Sequence, residues 1–289
     1  MTRRTDYRTP LNVPAKTIGE YAIEHDVRPA GAVIKTGDMR TAMFGQGAPK
    51  ELSWPTETRW HRLIGPTGTW MTDLPIEQYQ HDRSLKGMKG RILIGGLGLG
   101  YAAAVLAKQA SVKEVVVVEI PQEVIDLTAK HIPDPKSKTH VINMDLFTYL
   151  DHYAGEPFDY AFFDIWQSDG EGTFFEVVCP LRKASQGKVR RSPVCWNEDV
   201  MRGQLYCSMW SRMLIHKNPS FGGNLRLRNP TEEDGTDEPW HNWMCPFFRW
   251  VERTKPDDNE TESVMRLYAS TYGLSSFKEF LTLLGEKPK

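Results

Sequence analysis

The four cysteines, Cys179, Cys195, Cys207 and Cys245, form no CxxC pair. This excludes a zinc ribbon and a disulfide framework and leaves free thiols as the expectation. His241 and Cys245 stand four apart, as on one helix face, and Cys195 or Cys207 would complete a metal site with them. That spacing lacks the regularity of structural zinc sites, so no metal is expected. No stretch approaches the roughly 20 apolar residues of a membrane span. The opening "MTRRTDYRTPLNVPAK" has no apolar core of the signal-peptide kind. A soluble, cytoplasmic chain without a membrane partner is the expectation. Net charge is also lacking: 36 Lys and Arg face 37 Asp and Glu, for a formal −1, so no global field supports nucleic acid as a partner. No internal repeat is evident.

With 289 residues the chain has room for a large core, and three zones differ in texture. Residues 1–86 are rich in glycine, proline and turn signals, and "RWHRLIGPTGTWMTD" reads as a hairpin about Gly65-Pro66-Thr67-Gly68. A small N-terminal β-rich lobe is expected there. Residues 87–181 alternate short apolar runs with helical segments. The strands are "RILIGG", "EVVVVEI", "THVINMD" and "FDYAFFDIW"; the helices are "GYAAAVLAKQA", "PQEVIDLTAKHI" and "LFTYLDHY". Continuous apolar strands alternating with helices predict an α/β fold, a Rossmann-like doubly wound, mostly parallel sheet. Residues 182–289 read as an irregular or helical C-terminal extension, a substrate lid or satellite. It has a basic loop "RKASQGKVRRS", an acidic loop "TEEDGTDEP" and recurrent tryptophans, which are expected to form a satellite core. Helices are expected for "NEDVMRGQLYCSMWSRMLIH" and for "SSFKEFLTLLG", which opens on a Ser276-x-x-Glu279 capping box.

In a doubly wound sheet the ligand lies beyond the carboxyl ends of the strands. Gly95, Gly96, Gly98 and Gly100 fall where the first strand turns into its helix. Glycine there admits positive φ and close approach of a ligand to backbone. Amides at the following helix N-terminus favour an anionic group. The series Gly98-Leu99-Gly100-Tyr101-Ala102-Ala103 also satisfies a dinucleotide fingerprint, so the loop alone leaves NAD and S-adenosylmethionine open. Acids then end three successive strands: Glu119, Asp145 and Asp164. They suit an adenosyl ligand laid across the strand tips, with Glu119 on the ribose, Asp145 near the adenine amine, and Asp164 facing the charged amino acid end or the acceptor. Leu97, Ile120 and Leu146, beside these positions, complete the expected cofactor site.

These motifs resemble those of class I S-adenosylmethionine-dependent methyltransferases, specifically the spermidine synthase-like branch and methyltransferase-like proteins of bacteria and their phages. The resemblance runs from about Trp60 to Leu181. It implies the fold, S-adenosyl-L-methionine as cofactor, and a segment from Met71 to His81 placed over it. Polyamine aminopropyltransferases carry an aspartate at the position of Gly98 and a D-S-x-D-P sequence after the fourth strand. Here that sequence is Asp164-Ile165-Trp166-Gln167-Ser168-Asp169. Since decarboxylated S-adenosylmethionine has no carboxylate, an amide-rich loop without an acid better suits the intact cofactor.

Methyl transfer needs an aligned acceptor and, where the acceptor loses a proton, a base. Asp164 is the leading catalytic candidate, with Asp169 and His81 beside it and Asp73 and Glu77 behind. "NPSF" at 218–221 resembles an amino-group DNA methyltransferase motif but does not follow the fourth strand. The leading expectation is a methyltransferase acting on a small molecule or an unidentified macromolecule. Aminopropyl transfer is the second reading and a non-catalytic adenosyl-binding protein the third, with a dinucleotide oxidoreductase last. A homodimer is compatible with the sequence.

Overall fold

The computed structural model describes residues 7–35, 51–167, 174–217, 239–270, 278 and 281–286. Asp169, the 218–221 motif, residues 231–238 of the acidic loop and the Ser276/Glu279 capping box lie outside them. In the N-terminal region, strands β1 (Lys16–Ile18), β2 (Tyr21–Arg28), β5 (Thr58–Gly65) and β6 (Gly68–Thr72) form an antiparallel sheet in the order β1-β2-β5-β6. β3 (Ile34–Lys35) and β4 (Glu51–Leu52) pair as a separate ribbon. The expected hairpin is β5–β6, closed through Pro66-Thr67. Asp73 is buried just after β6. Its carboxylate accepts from the His61 backbone N–H at 2.5 Å, from His61 Nδ1 at 2.8 Å and from Thr9 Oγ1. These bonds pin the leading segment to the sheet, which makes Asp73 structural.

Helix α1 (Pro75–Ser84) follows, with proline in its first turn and Glu77 there to favour the positive end of the helix dipole. The second sheet is wholly parallel, with strands β7 (Gly90–Gly95), β8 (Val112–Glu119), β9 (Thr139–Asn143), β10 (Tyr160–Phe163) and β11 (Val194–Cys195) in the order β11-β10-β7-β8-β9. Their runs, such as Val115 to Val118, are buried on both faces, as cover on two sides demands. Helices α2 (Tyr101–Ala107), α3 (Gln122–Thr128) and α4 (Leu146–His152) supply connections. The chain builds outward from β7 through β8 to β9, then crosses back to place β10 on the other side of β7. The reversal creates a switch point beside the β7 tip, where open α/β sheets bind ligands. This is the expected Rossmann-like fold. Its fifth strand, β11, lies beyond the four strands read from sequence.

Both sheets belong to one compact unit, Met1–Gln167 with Ala184–Trp196; the other comprises Ser168–Lys183 and Asn197–Lys289. The second unit contains a π-helical turn at Phe174–Val178 and helices α5 (Cys179–Ala184), α6 (Glu198–Lys217), α7 (Pro239–Thr254) and α8 (Asp258–Ser270). Met201, Leu205, Met209, Phe247, Phe248 and Met265 are buried in it. An Arg182–Glu198 ion pair at 2.5 Å links α5 to α6, both side chains nearly buried. Among the described residues no helix is long and apolar enough to cross a membrane.

Candidate functional site

The glycine loop leaves the β7 tip with Gly96 at φ +91° and Gly98 at φ +50°, backbone angles that side chains rarely tolerate. Space enforces the same choice. A Cβ on Gly96 would sit 2.1 Å from the Asp164 carbonyl oxygen, and one on Gly98 2.4 Å from Met71 Sδ. Met71 reaches the loop from β6, and its thioether takes the Leu99 N–H at 3.3 Å. An acid at position 98 therefore has no room while Met71 stands there.

The loop amides correct one expectation. Sequence suggested free N–H groups for an anion, but those of residues 96–100 are already engaged. Gly96 donates to the Val118 carbonyl at 2.9 Å and Gly100 to that of Leu97 at 2.8 Å. Glu119 Oε2 accepts from Leu97 at 2.6 Å and Gly98 at 3.4 Å, while its Oε1 accepts from Ile120 at 2.8 Å. The acid at the β8 tip thus braces the loop from below. Burial raises the Glu119 pKa, against the pull of these three amides.

Across the site, α1 presents His81, 2% exposed. Its Nδ1 lies 2.9 Å from the Glu77 carbonyl oxygen and its Nε2 3.3 Å from Asp164 Oδ2. A carbonyl only accepts, so Nδ1 carries hydrogen. Burial alone would lower the His81 pKa; the hydrogen bond and charge of Asp164, with Glu77 adding, leave it above its ordinary value. Glu77 accepts from the Thr72 N–H and hydroxyl, both at 2.8 Å. Although part of its surface touches solvent, protein surrounds its carboxyl, and burial pushes its pKa up to about 7.

That shift has a sign. An acid whose folded pKa exceeds its unfolded value costs stability as pH rises from about 4.5 through 7, and His81, also raised, loses its contribution in the same direction. Glu77→Gln should flatten this dependence. Relative to the parent, the variant should gain roughly 2 kcal/mol between pH 5 and pH 8, after discounting for solvent screening. Denaturant unfolding at the two pH values measures it, and parallel curves would refute the assignment.

A cavity of about 240 Å³ opens at the strand tips. Of the expected residues, Gly96, Leu97, Gly98, Glu119, Ile120, Leu146, Asp164 and His81 line it. Gly95 and Gly100 sit at the ends of the loop, off the cavity wall. Asp145 caps α4, accepting from Thr148 N at 2.8 Å, and its neighbours Met144 and Leu146 line the cavity instead. Met71, Trp166 and Gln167, which lie in segments the resemblance pointed to but were not named as site residues, also line or close the cavity. Trp166 is 8% exposed, and its buried indole N–H has no acceptor among the described residues. Gln167 accepts from Thr67 Oγ1 at 2.7 Å and donates to the Thr69 carbonyl at 3.0 Å. It clasps the β5–β6 turn to the segment following Asp164. Among the described residues the ionisable side chains on the wall are Glu119, Asp164, His81 and Tyr21, and none is lysine or arginine. Among the described residues no cluster of three or more His, Cys, Asp or Glu is placed to hold a metal.

No family model matches the chain. Polyamine aminopropyltransferase 2 of Caldanaerobacter subterraneus subsp. tengcongensis is 36% identical over 78 residues, 26% of this chain and 26% of that protein. The spermidine synthase structure from Thermotoga maritima aligns at 17% identity and a TM-score of 0.33, over 45% of this chain and 49% of that one. A spermidine synthase in complex with the transition state analogue AdoDATO aligns at 18% identity and a TM-score of 0.34, over 45% and 51%. The chain thus spans about a quarter of the curated relative's length and about half that of the two solved structures. Its resemblance to the spermidine synthase-like branch of the class I S-adenosylmethionine-dependent methyltransferases rests on the motifs and on the 78-residue match.

Proposed function

We propose that the chain is an adenosyl-sulfonium-dependent transferase, using S-adenosyl-L-methionine to methylate an acceptor. The observation that carries this is the acid-lined cavity at the switch point, with Glu119 and Asp164 on its wall and, among the described residues, no lysine or arginine beside them. Such a donor set fits a cationic ligand and opposes the pyrophosphate of a dinucleotide. When bound, the cofactor supplies an electrophilic methyl carbon on its sulfonium. The chain's own work is then positioning and charge. Glu119 offers a carboxylate to ribose hydroxyls, Asp164 holds the amine of the amino acid tail or accepts a proton from the acceptor, and the Gln167 clasp keeps the β5–β6 turn over the site. The unpaired Trp166 N–H suits an oxygen of a bound ligand, since buried donors are seldom left open.

A second reading, aminopropyl transfer from the decarboxylated cofactor, is favoured by the match to a polyamine aminopropyltransferase and by the acidity of the wall. The acceptor, whether a small molecule or a macromolecule, is a question for product analysis by mass spectrometry.

Calorimetric titration with S-adenosylmethionine, its decarboxylated form, S-adenosylhomocysteine and NAD tests the reading. Adenosyl sulfonium binding is expected, with Glu119→Ala losing about 10-fold or more in affinity through lost charged hydrogen bonds. Tight NAD binding with none to either sulfonium would sink the proposal, as would unchanged affinity in the variant.

A further inference from the structure

The hydrogen-bond geometry of His81 fixes how many protons its pair with Asp164 holds. Nδ1 gives its hydrogen to the Glu77 carbonyl at 2.9 Å, so Nε2 faces Asp164 Oδ2 at 3.3 Å either with a proton or with a bare lone pair. A lone pair against a carboxylate repels in a setting this buried. A proton on Nε2 therefore faces the carboxylate, and the pair is neutral.

Other groups against His81 leave that count unchanged. Phe162 from β10 and Tyr101 from α2 meet the ring edge-on at 5.5 and 5.6 Å. The Tyr101 hydroxyl turns away to Asp82 at 2.8 Å. Glu77 is held by Thr72 and does not line the cavity. With no lysine or arginine among the described residues of the wall, the charge these present to a ligand reduces to that of Glu119.

We infer that His81 is a specificity-determining residue that neutralises Asp164, and so selects a sulfonium bearing an intact amino acid tail over its decarboxylated form. The inference rests on the adenosyl reading above. The intact cofactor carries a sulfonium, an ammonium and a carboxylate, leaving one net positive charge to match Glu119. The decarboxylated form carries two positive charges, one of them uncompensated inside the protein. His81 thus does electrostatically what the crowded loop does sterically, since Met71 fills the space an acid at Gly98 would need.

The test compares affinities of the two sulfonium forms at about pH 6.5, where Glu77 is mostly protonated and both ligand amines are charged. The wild-type chain should bind S-adenosylmethionine about tenfold or more tightly than the decarboxylated form. His81→Gln can still donate to Asp164 but holds no extra proton, so that ratio should fall about tenfold or invert. A folded variant with an unchanged ratio overturns the inference, as does wild-type preference for the decarboxylated form. Nitrogen-15 shifts of the His81 ring in the wild-type chain give a readout independent of the variant's folding. A midpoint for Nε2 above about pH 6.5 is expected, and one at or below it overturns the inference. Wild-type protein that binds neither sulfonium defeats the proposed function, and the selectivity with it; a shared affinity for both with no His81 effect defeats the selectivity alone.

Discussion

Gly96→Ala is expected to bind no adenosyl ligand measurably and to lose about 3 kcal/mol of folding stability. The cause is backbone meeting backbone. The added methyl would lie 2.1 Å from the Asp164 carbonyl oxygen, and a carbonyl anchored at a strand end has no rotamer by which to yield. Asp164 N also bonds to the Gly95 carbonyl at 2.8 Å, so pushing the two strand tips apart breaks that link and displaces the Asp164 carboxylate. The positive φ of Gly96 adds strain of its own. Gly87→Ala separates the two effects. Gly87 has φ +83° but nothing within 4 Å of its would-be Cβ, so its alanine variant should lose only about 1 kcal/mol and bind normally. Denaturant unfolding and calorimetry on both variants decide it. Near-native ligand affinity in Gly96→Ala would mean that the strand-tip contact is irrelevant to the site.

Asp164→Ala should weaken S-adenosylmethionine binding by about 100-fold while leaving 5′-methylthioadenosine within about threefold. Methylthioadenosine keeps the nucleoside but lacks both the sulfonium charge and the amino acid tail. Its insensitivity would locate the loss at the charged end of the ligand. The substitution also strips His81 of the partner that keeps its extra proton, so the ring should turn neutral, with Nδ1 still donating to the Glu77 carbonyl. The stability cost is modest because the buried histidine can discharge. Equal losses for both ligands would move Asp164 from tail recognition to general support of the loop. Full retention of S-adenosylmethionine binding would remove Asp164 from the site altogether.

The glycine loop and its flanking strands were legible because the signal is local. "ILIG" and "VVVV", short apolar runs alternating with helical segments, read as strands covered on both faces, and glycines where backbone must turn back on itself are written in consecutive letters. β11 was not legible, since two residues just after a basic loop carry no periodicity. The role of Met71 depends on its thioether reaching the glycine loop from β6, in the other sheet, a contact that no spacing rule anticipates. Asp145 illustrates the opposite failure. Its place in a series of strand-end acids suggested a ligand contact, yet the local rule that Asp caps a helix is what its carboxylate obeys. Glu119 sits where the pattern places it. Its bonds to the loop amides were invisible, because they depend on how the loop folds over the strand tip.

The cavity between the β6–α1 face and the parallel strand tips is the proposed site of the adenosyl group. A co-crystal of the chain with S-adenosylhomocysteine, which lacks the reactive methyl and persists through crystal growth, tests this most directly. The account predicts nucleoside density in the cavity lined by Gly96, Glu119 and Asp164, with the amino acid tail directed to Asp164. Density for the nucleoside elsewhere on the chain, or an empty cavity at a saturating ligand concentration, would contradict it.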